Sequence, residues 1–197
     1  MDTDAEIIEQ SRFGPAAFGE LYDRHGPDIY RYAARRAGDF AAEDVMAETF
    51  LVAFESRSTF RGPAEAVRPW LFGIATNLLR RHHRAEARML RALARSGPGD
   101  PFDGMEAVET QLDAAGNRAH IGRALRALKP IDREAILLHV WAGLSYEGIA
   151  AATGVPLGTV RSRINRARGK LRADLGPTLL TGKESTYGRP AAAPRNA

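Results

Sequence analysis

Cysteine is absent from the chain, which excludes disulfides, thiolate metal sites and thiol nucleophiles together. No apolar run approaches the roughly 18 residues of a membrane-spanning helix. The opening "MDTDAEIIEQ" has neither the basic start nor the apolar centre of a signal peptide. A cytoplasmic protein without membrane insertion is the expectation. Strand signals are equally scarce, since no segment of four or more residues alternates cleanly with β-branched residues. Catalytic signatures are missing too: there is no HExxH, no glycine-rich phosphate loop and no GxSxG. The histidines His25, His82, His83, His120 and His139 show no metal-ligand spacing. No enzymatic activity, cofactor or metal is expected.

What is present is helical periodicity over nearly the whole chain, and the expected fold is all-α. The 197 residues suffice for two small domains. Two compositional breaks delimit them. The first, "SGPGDPFDGMEAVETQL" at 96–112, reads as a flexible acidic linker carrying Asp100, Asp103, Glu106 and Glu109 without a Lys or Arg. It is either a solubilising spacer or an acidic strand that lies in a channel built for nucleic acid, and composition leaves both open. The second is the Gly-, Pro- and Ala-rich stretch 176–197, read as a disordered tail. Domains are therefore expected at 1–95 and 113–175. The balance of 28 basic against 24 acidic residues, +4 net, suits a polyanionic partner.

In the second domain Pro130, Gly143 and Gly154 each read as a helix stop, giving four short helices. Ser145 is a good N-cap, Ile149 and Ala150 give the third helix an inner face, and Gly154 permits the tight turn of a helix-turn-helix. The stretch that follows, "GVPLGTVRSRINRARGKLRADL", places Val160, Ile164, Ala167 and Leu171 on one buried stripe. Opposite lie Ser162, Asn165, Arg166 and Gly169, flanked by Arg161, Arg163, Arg168, Lys170 and Arg172. Arginine can bond a guanine edge with two hydrogens and asparagine an adenine edge, while flanking cations hold phosphates. Residues at the start of such a helix penetrate deepest, so Arg161, Ser162, Asn165 and Arg166 are the base-reading candidates. The competing reading is a solvated basic face.

In the first domain, "DFAAEDVMAETFLVAF" suggests a buried stripe of Ala47, Phe50, Leu51 and Phe54 beside an acidic face of Asp44, Glu48 and Glu55. Further on, Trp70, Leu71, Ile74, Ala75 and Leu78 make a buried arc, and Asn77, Arg80 and Arg84 project together on another side. These polar groups can contact bases and phosphates, and nearby aromatics could stack on unpaired bases. Trp70 itself reads either as core or as such a platform.

The string "REAILLHVWAGLSYEGIAAATGVPLGTVRSRINRARGKL" resembles region 4 of the sigma-70 family, in its extracytoplasmic-function group. "DFAAEDVMAETFLVAF" is similar to regions 2.1 to 2.2 of that family, and "FRG" with "RPWLFGIATNLLRRHHR" to regions 2.3 to 2.4. The resemblance implies two domains, a region 2 bundle and a region 4 helix-turn-helix, in a factor that binds core RNA polymerase and directs initiation at promoters. It implies minus-35 reading by Arg161, Ser162, Asn165 and Arg166, with Thr159, Arg163, Arg168 and Lys170 on phosphates. It implies capture of the opened minus-10 strand by Phe60, Arg61, Arg68, Asn77, Arg80 and Arg84. Docking on polymerase, at the β′ clamp with further contact to the β subunit, would use Asp44, Glu48, Thr49 and Glu55. Promoter DNA and an anti-sigma factor are the other implied partners. Three residues depart from the pattern: Gly148 stands where a carboxylate or amide is usual, Pro69 replaces a small residue before Trp70, and Arg81 stands near a usual aspartate. The alternative function is a stand-alone helix-turn-helix regulator, which would need a sensory or dimerising partner domain.

Overall fold

The computed structural model describes residues 2–96 and 112–176. The described residues form eight α-helices and no strand: α1 (Asp4–Ser11), α2 (Gly19–Ala37), α3 (Asp39–Ser56), α4 (Val67–Ser96), α5 (Leu112–Arg126), α6 (Pro130–Val140), α7 (Tyr146–Thr153) and α8 (Leu157–Leu175). Short 3-10 turns precede α2 and connect α3 to α4. No helix among them is long and apolar enough to cross a membrane.

Local chemistry sets most of these boundaries. Thr3 and Glu6 form a reciprocal capping box, in which the Thr3 N–H donates to Glu6 Oε2 at 2.7 Å and the Glu6 N–H to Thr3 Oγ1 at 3.3 Å. The Ser145 hydroxyl accepts from the Gly148 N–H at 3.0 Å and starts α7 as expected. Gly154, at φ +67°, ends α7 in the left-handed conformation and turns the chain into α8. Pro130 marks the expected break, since α5 ends at Arg126 and Lys129 is extended. It is the first residue of α6, where its missing N–H has no helical partner to lose.

Two boundaries shift relative to the sequence reading. α4 runs to Ser96 and α5 begins at Leu112, so both ends of the expected linker are helical. The acidic residues Asp100, Asp103, Glu106 and Glu109 lie outside the described residues, as does the expected tail beyond Gly176.

The α3 stripe is corrected. Ala41, Ala42, Val45, Thr49, Phe50 and Ala53 face inward, with Phe54 half-buried, whereas Ala47 and Leu51 are exposed. α3 packs on both α2 and α4, and the small residues Ala42, Thr49 and Ala53 let those helices approach closely. Ala47 and Leu51 consequently share the solvent side with Asp44, Glu48 and Glu55. On α4 the expected arc is only part of what is covered: Pro69, Phe72, Gly73, Thr76 and Leu79 are buried as well.

Pro69 and Gly73 owe that burial to the second group of helices. α1–α4 and α5–α8 are packed together, and their buried side chains form one continuous core. Within the first group Tyr32 meets Phe72 edge-on at 5.2 Å, its hydroxyl paired with Thr76 at 3.1 Å. In the second, Leu138, Ile149, Val160 and Ile164 are fully enclosed. Between the groups α4 lies against α7, and the Gly73 backbone comes so near Ala152 that an added Cβ would be 2.6 Å from its carbonyl oxygen.

Candidate nucleic-acid interface

The N-terminal half of α8 has the division its sequence suggests. Val160, Ile164 and Ala167 are inaccessible and Leu171 is half-buried, while Arg161, Ser162 and Asn165 are exposed along one edge. The Ser162 hydroxyl donates to the Gly158 carbonyl at 3.0 Å, which orients it and leaves its oxygen able to accept. Arg166 behaves differently. Its Nη2 and Nε donate to the two carboxylate oxygens of Asp132 at 2.8 and 3.2 Å. Asp132 is buried in the first turn of α6, and its hydrogen bond holds the Arg166 guanidinium above its ordinary pKa. The fork that would grip a guanine is thus tied to the scaffold, and the open reading edge is Arg161, Ser162 and Asn165.

Among the expected phosphate contacts, Thr159 and Arg163 are half-buried and Lys170 pairs with Asp174 at 3.5 Å. Arg168 donates to the Tyr146 hydroxyl at 3.2 Å, bracing α8 on the start of α7.

The candidates on α4 and in the connection before it separate into open and engaged residues. Asn77 and Arg84 are exposed, and Phe60 rests on Trp70 with ring centroids 5.0 Å apart. Trp70 is half-buried, so it serves as the floor beneath Phe60 and as part of the packed surface. Arg61 is exposed and curls onto its own turn, donating to the Ser58 and Phe60 carbonyls at 2.7 and 2.8 Å. Arg68 donates to Asp28 at 3.0 Å and to the Ala142 carbonyl at 2.6 Å, with its guanidinium over Phe72. Burial pushes the Asp28 carboxyl up, but the hydrogen bonds from Arg68 and Arg31 outweigh it and hold the group below its usual range. Arg80 forks onto the buried Glu134 of α6, Nε to Oε2 at 2.6 Å, and also reaches Asn77 at 3.2 Å.

On α3, Asp44, Glu48 and Glu55 are exposed, with Asp44 and Glu48 lining a groove shared with Arg81, Arg84 and Arg88 of α4. Thr49 is withdrawn from this surface. It is inaccessible, and its hydroxyl donates to the Val45 carbonyl at 2.6 Å. Leu51, expected in the buried stripe, is exposed, and so is Phe40 at 95% exposure, which the stripe does not include.

The adjacent His82 and His83 stand with Glu86 on the surface of α4, where one ligand atom from each lies within 4.8 Å of the others. Partial burial, then the positive charge of Arg36, pushes the His83 pKa down from 6.5, with Arg133 and His82 adding to the effect and Glu86 opposing it. A histidine whose folded pKa is depressed stabilises the fold above its unfolded value, and that contribution fades as pH falls through about 6.5 and below. Thermal melts at pH 7.5 and 5.5 should therefore show a smaller acid-induced drop for His83→Asn than for wild type. An equal drop would remove His83 from the acid response.

The family described as Sigma-70 region 2 matches residues 21–89, and Sigma-70, region 4 matches 118–171. RNA polymerase sigma factor CarQ of Myxococcus xanthus is 34% identical over 171 residues, covering 83% of this chain and 92% of its own. ECF RNA polymerase sigma factor SigC of Mycobacterium tuberculosis is 34% identical over 155 residues, 79% of this chain and 81% of its own. Among solved structures, CnrH in complex with the cytosolic domain of CnrY aligns with a TM-score of 0.64 and 29% identity, over 88% of this chain and 97% of that one. The sigma factor RpoE bound to the anti-sigma factor NepR from Bartonella quintana aligns at 0.58 and 27%, over 80% and 96%.

Proposed function

This chain belongs to the sigma-70 family, in its extracytoplasmic-function group, and we propose how its two groups of helices divide the work of directing transcription initiation at promoters. Residues 1–95 act as region 2, docking on core RNA polymerase through the acidic face of α3 and holding the opened minus-10 strand at Phe60, Arg61, Asn77 and Arg84. Arg68 and Arg80 join them once released from the second group. Residues 113–175 act as region 4 and read the minus-35 duplex. The factor performs no chemistry of its own and works in the cytoplasm beside polymerase. An anti-sigma factor controls it, by analogy with the complex of RpoE and the anti-sigma factor NepR.

The observation that carries this reading is the exposed edge Arg161, Ser162 and Asn165 at the start of α8, held outward by the buried stripe Val160, Ile164 and Ala167. It has the placement that a recognition helix needs to meet base edges in the major groove. Run-off transcription with purified core polymerase tests it, on promoters recovered by mapping transcription starts after overexpression. Specific product is expected only when the factor is added. A factor that footprints operator DNA alone and yields no specific product is a stand-alone regulator.

At single residues, Arg161→Ala should reduce discrimination at the minus-35 element by roughly 1–3 kcal/mol for a lost bidentate contact. Polymerase binding should be unchanged. Competition binding with single-base variants of the element measures this, and a uniform loss on all sequences makes Arg161 a phosphate contact instead. Arg166→Ala should be less clean, because it leaves Asp132 buried without its partner and lowers stability as well as affinity.

A further inference from the structure

We propose that His82, His83 and Glu86 of α4 form a binding site for a divalent transition-metal ion, for which Zn²⁺ is the probe. One ligand atom from each residue lies within 4.8 Å of the others. Helix geometry accounts for the grouping. Glu86 stands one turn beyond the two histidines and between them, about 40° round the axis from His82 on one side and about 60° from His83 on the other. Two ligands of a tetrahedral ion, each bound at about 2.1 Å, are about 3.4 Å apart. His83 Nδ1 and Glu86 Oε2 are 3.8 Å apart, too far for a hydrogen bond, so a small rotation of exposed side chains completes the geometry. Ligands from a single helix leave the remaining coordination positions to water.

The donors select the kind of ion. Two imidazole nitrogens and one carboxylate suit Zn²⁺, Ni²⁺ or Cu²⁺, whereas Mg²⁺ and Ca²⁺ take oxygen ligands. The surroundings sharpen this choice. Arg36 of α2 and Arg133 of α6 act on His83, and Arg81 and Arg84 flank the histidine pair in sequence. An ion held mainly by charge is repelled there, so coordination bonds to neutral imidazole must hold it. Burial and then the charge of Arg36 push the His83 pKa down, which keeps that ring in the neutral form a metal requires. The other described histidines are engaged elsewhere. His25 pairs with the Asp4 carboxylate at 2.6 Å, His120 with the Asp174 carbonyl at 3.0 Å and His139 with the Leu144 carbonyl at 3.0 Å.

The position gives the ion a task. The buried side of α4 runs through Leu71, Phe72, Ala75, Leu78 and Leu79, and the three ligands continue that side where every residue from Arg81 to Glu86 is exposed. An ion bridging successive turns there takes over from the packing that holds the earlier part of the helix. Arg84 leaves α4 about 160° round the axis from Glu86. The ion therefore does not occupy the side on which Asn77 and Arg84 project.

Isothermal titration of the full chain, freed of any affinity tag, with Zn²⁺ is expected to show a single saturable site. His82→Gln, His83→Gln and Glu86→Ala should each weaken binding at least tenfold, while His120→Gln binds as wild type does. Helicity verifies that these exposed substitutions leave the fold intact. Mg²⁺ in hundredfold excess should leave the Zn²⁺ bound, and hydrogen exchange of the amides of residues 82–89 should slow when Zn²⁺ is added. Absence of saturable binding, a loss below tenfold in any of the three ligand variants, an equal loss in His120→Gln, displacement by Mg²⁺ or unchanged exchange at 82–89 each overturns the proposal. These readouts involve neither polymerase nor DNA, so the sigma assignment stands or falls separately.

Discussion

Ile164→Ala should cost about 2–5 kcal/mol of folding stability, the range for truncating a fully enclosed aliphatic side chain, and minus-35 duplex binding should disappear with it. Ile164 is inaccessible, and it sits on α8 between Val160 and Ala167, also inaccessible, in the contact that fixes α8 on α6 and α7. Removing three carbons there leaves a cavity that the helix can close only by rotating or tilting. Either movement displaces Arg161, Ser162 and Asn165, which share its backbone. Denaturant titration gives the stability change and a gel-shift assay the binding. Asn165→Ala, on the exposed edge, is the control: stability within about 0.5 kcal/mol of wild type and altered base preference. A loss below about 1 kcal/mol for Ile164→Ala, with duplex binding retained, would show that α8 is oriented by something other than its buried stripe.

The second large effect is expected on the acidic face of α3. Asp44→Lys combined with Glu48→Lys turns two negative charges on exposed α3 positions into two positive ones. If this face meets a basic surface of core polymerase, affinity should fall at least tenfold, or about 1.4 kcal/mol, and more steeply at low salt. Neither carboxylate is part of the buried core, so the melting temperature should stay near that of wild type and the isolated minus-35 duplex should still bind. Polymerase pull-down across a salt series provides the measurement. Undiminished affinity would move the docking surface elsewhere, and the exposed Phe40 and Leu51 would then be the next residues to change.

Much of the helix-turn-helix is legible from local chemistry. Ser145 as cap, Gly154 as left-handed turn and the spacing of Val160, Ile164 and Ala167 are each set within a few residues, so the sequence pattern and the fold agree. α3 is different because it is apolar on more than one side. Periodicity alone favoured Ala47 and Leu51, while contact with both α2 and α4 selected the seam through Ala42, Val45, Thr49 and Ala53. Thr49 was lost as a docking residue for the same reason. The N-terminal helix has an equally local signal, the capping box in "TDAE". The partners of Arg80 and Arg166 were beyond reach of any local pattern. Glu134 lies 54 residues from Arg80 and Asp132 lies 34 from Arg166, and only tertiary packing brings them together.

The two tryptophans of the chain occupy optically distinct places. Trp70 lies under Phe60 at the lip where an unpaired base would arrive, and Trp141 is half-buried beneath Arg35 at the meeting of the helical groups. Emission from Trp70 is therefore open to quenching by a stacked base, while Trp141 is positioned to change wavelength as its surroundings gain or lose water. With Trp70→Phe only the junction is heard, and with Trp141→Phe only the strand. Each single-tryptophan variant thus reports on one of the two places alone.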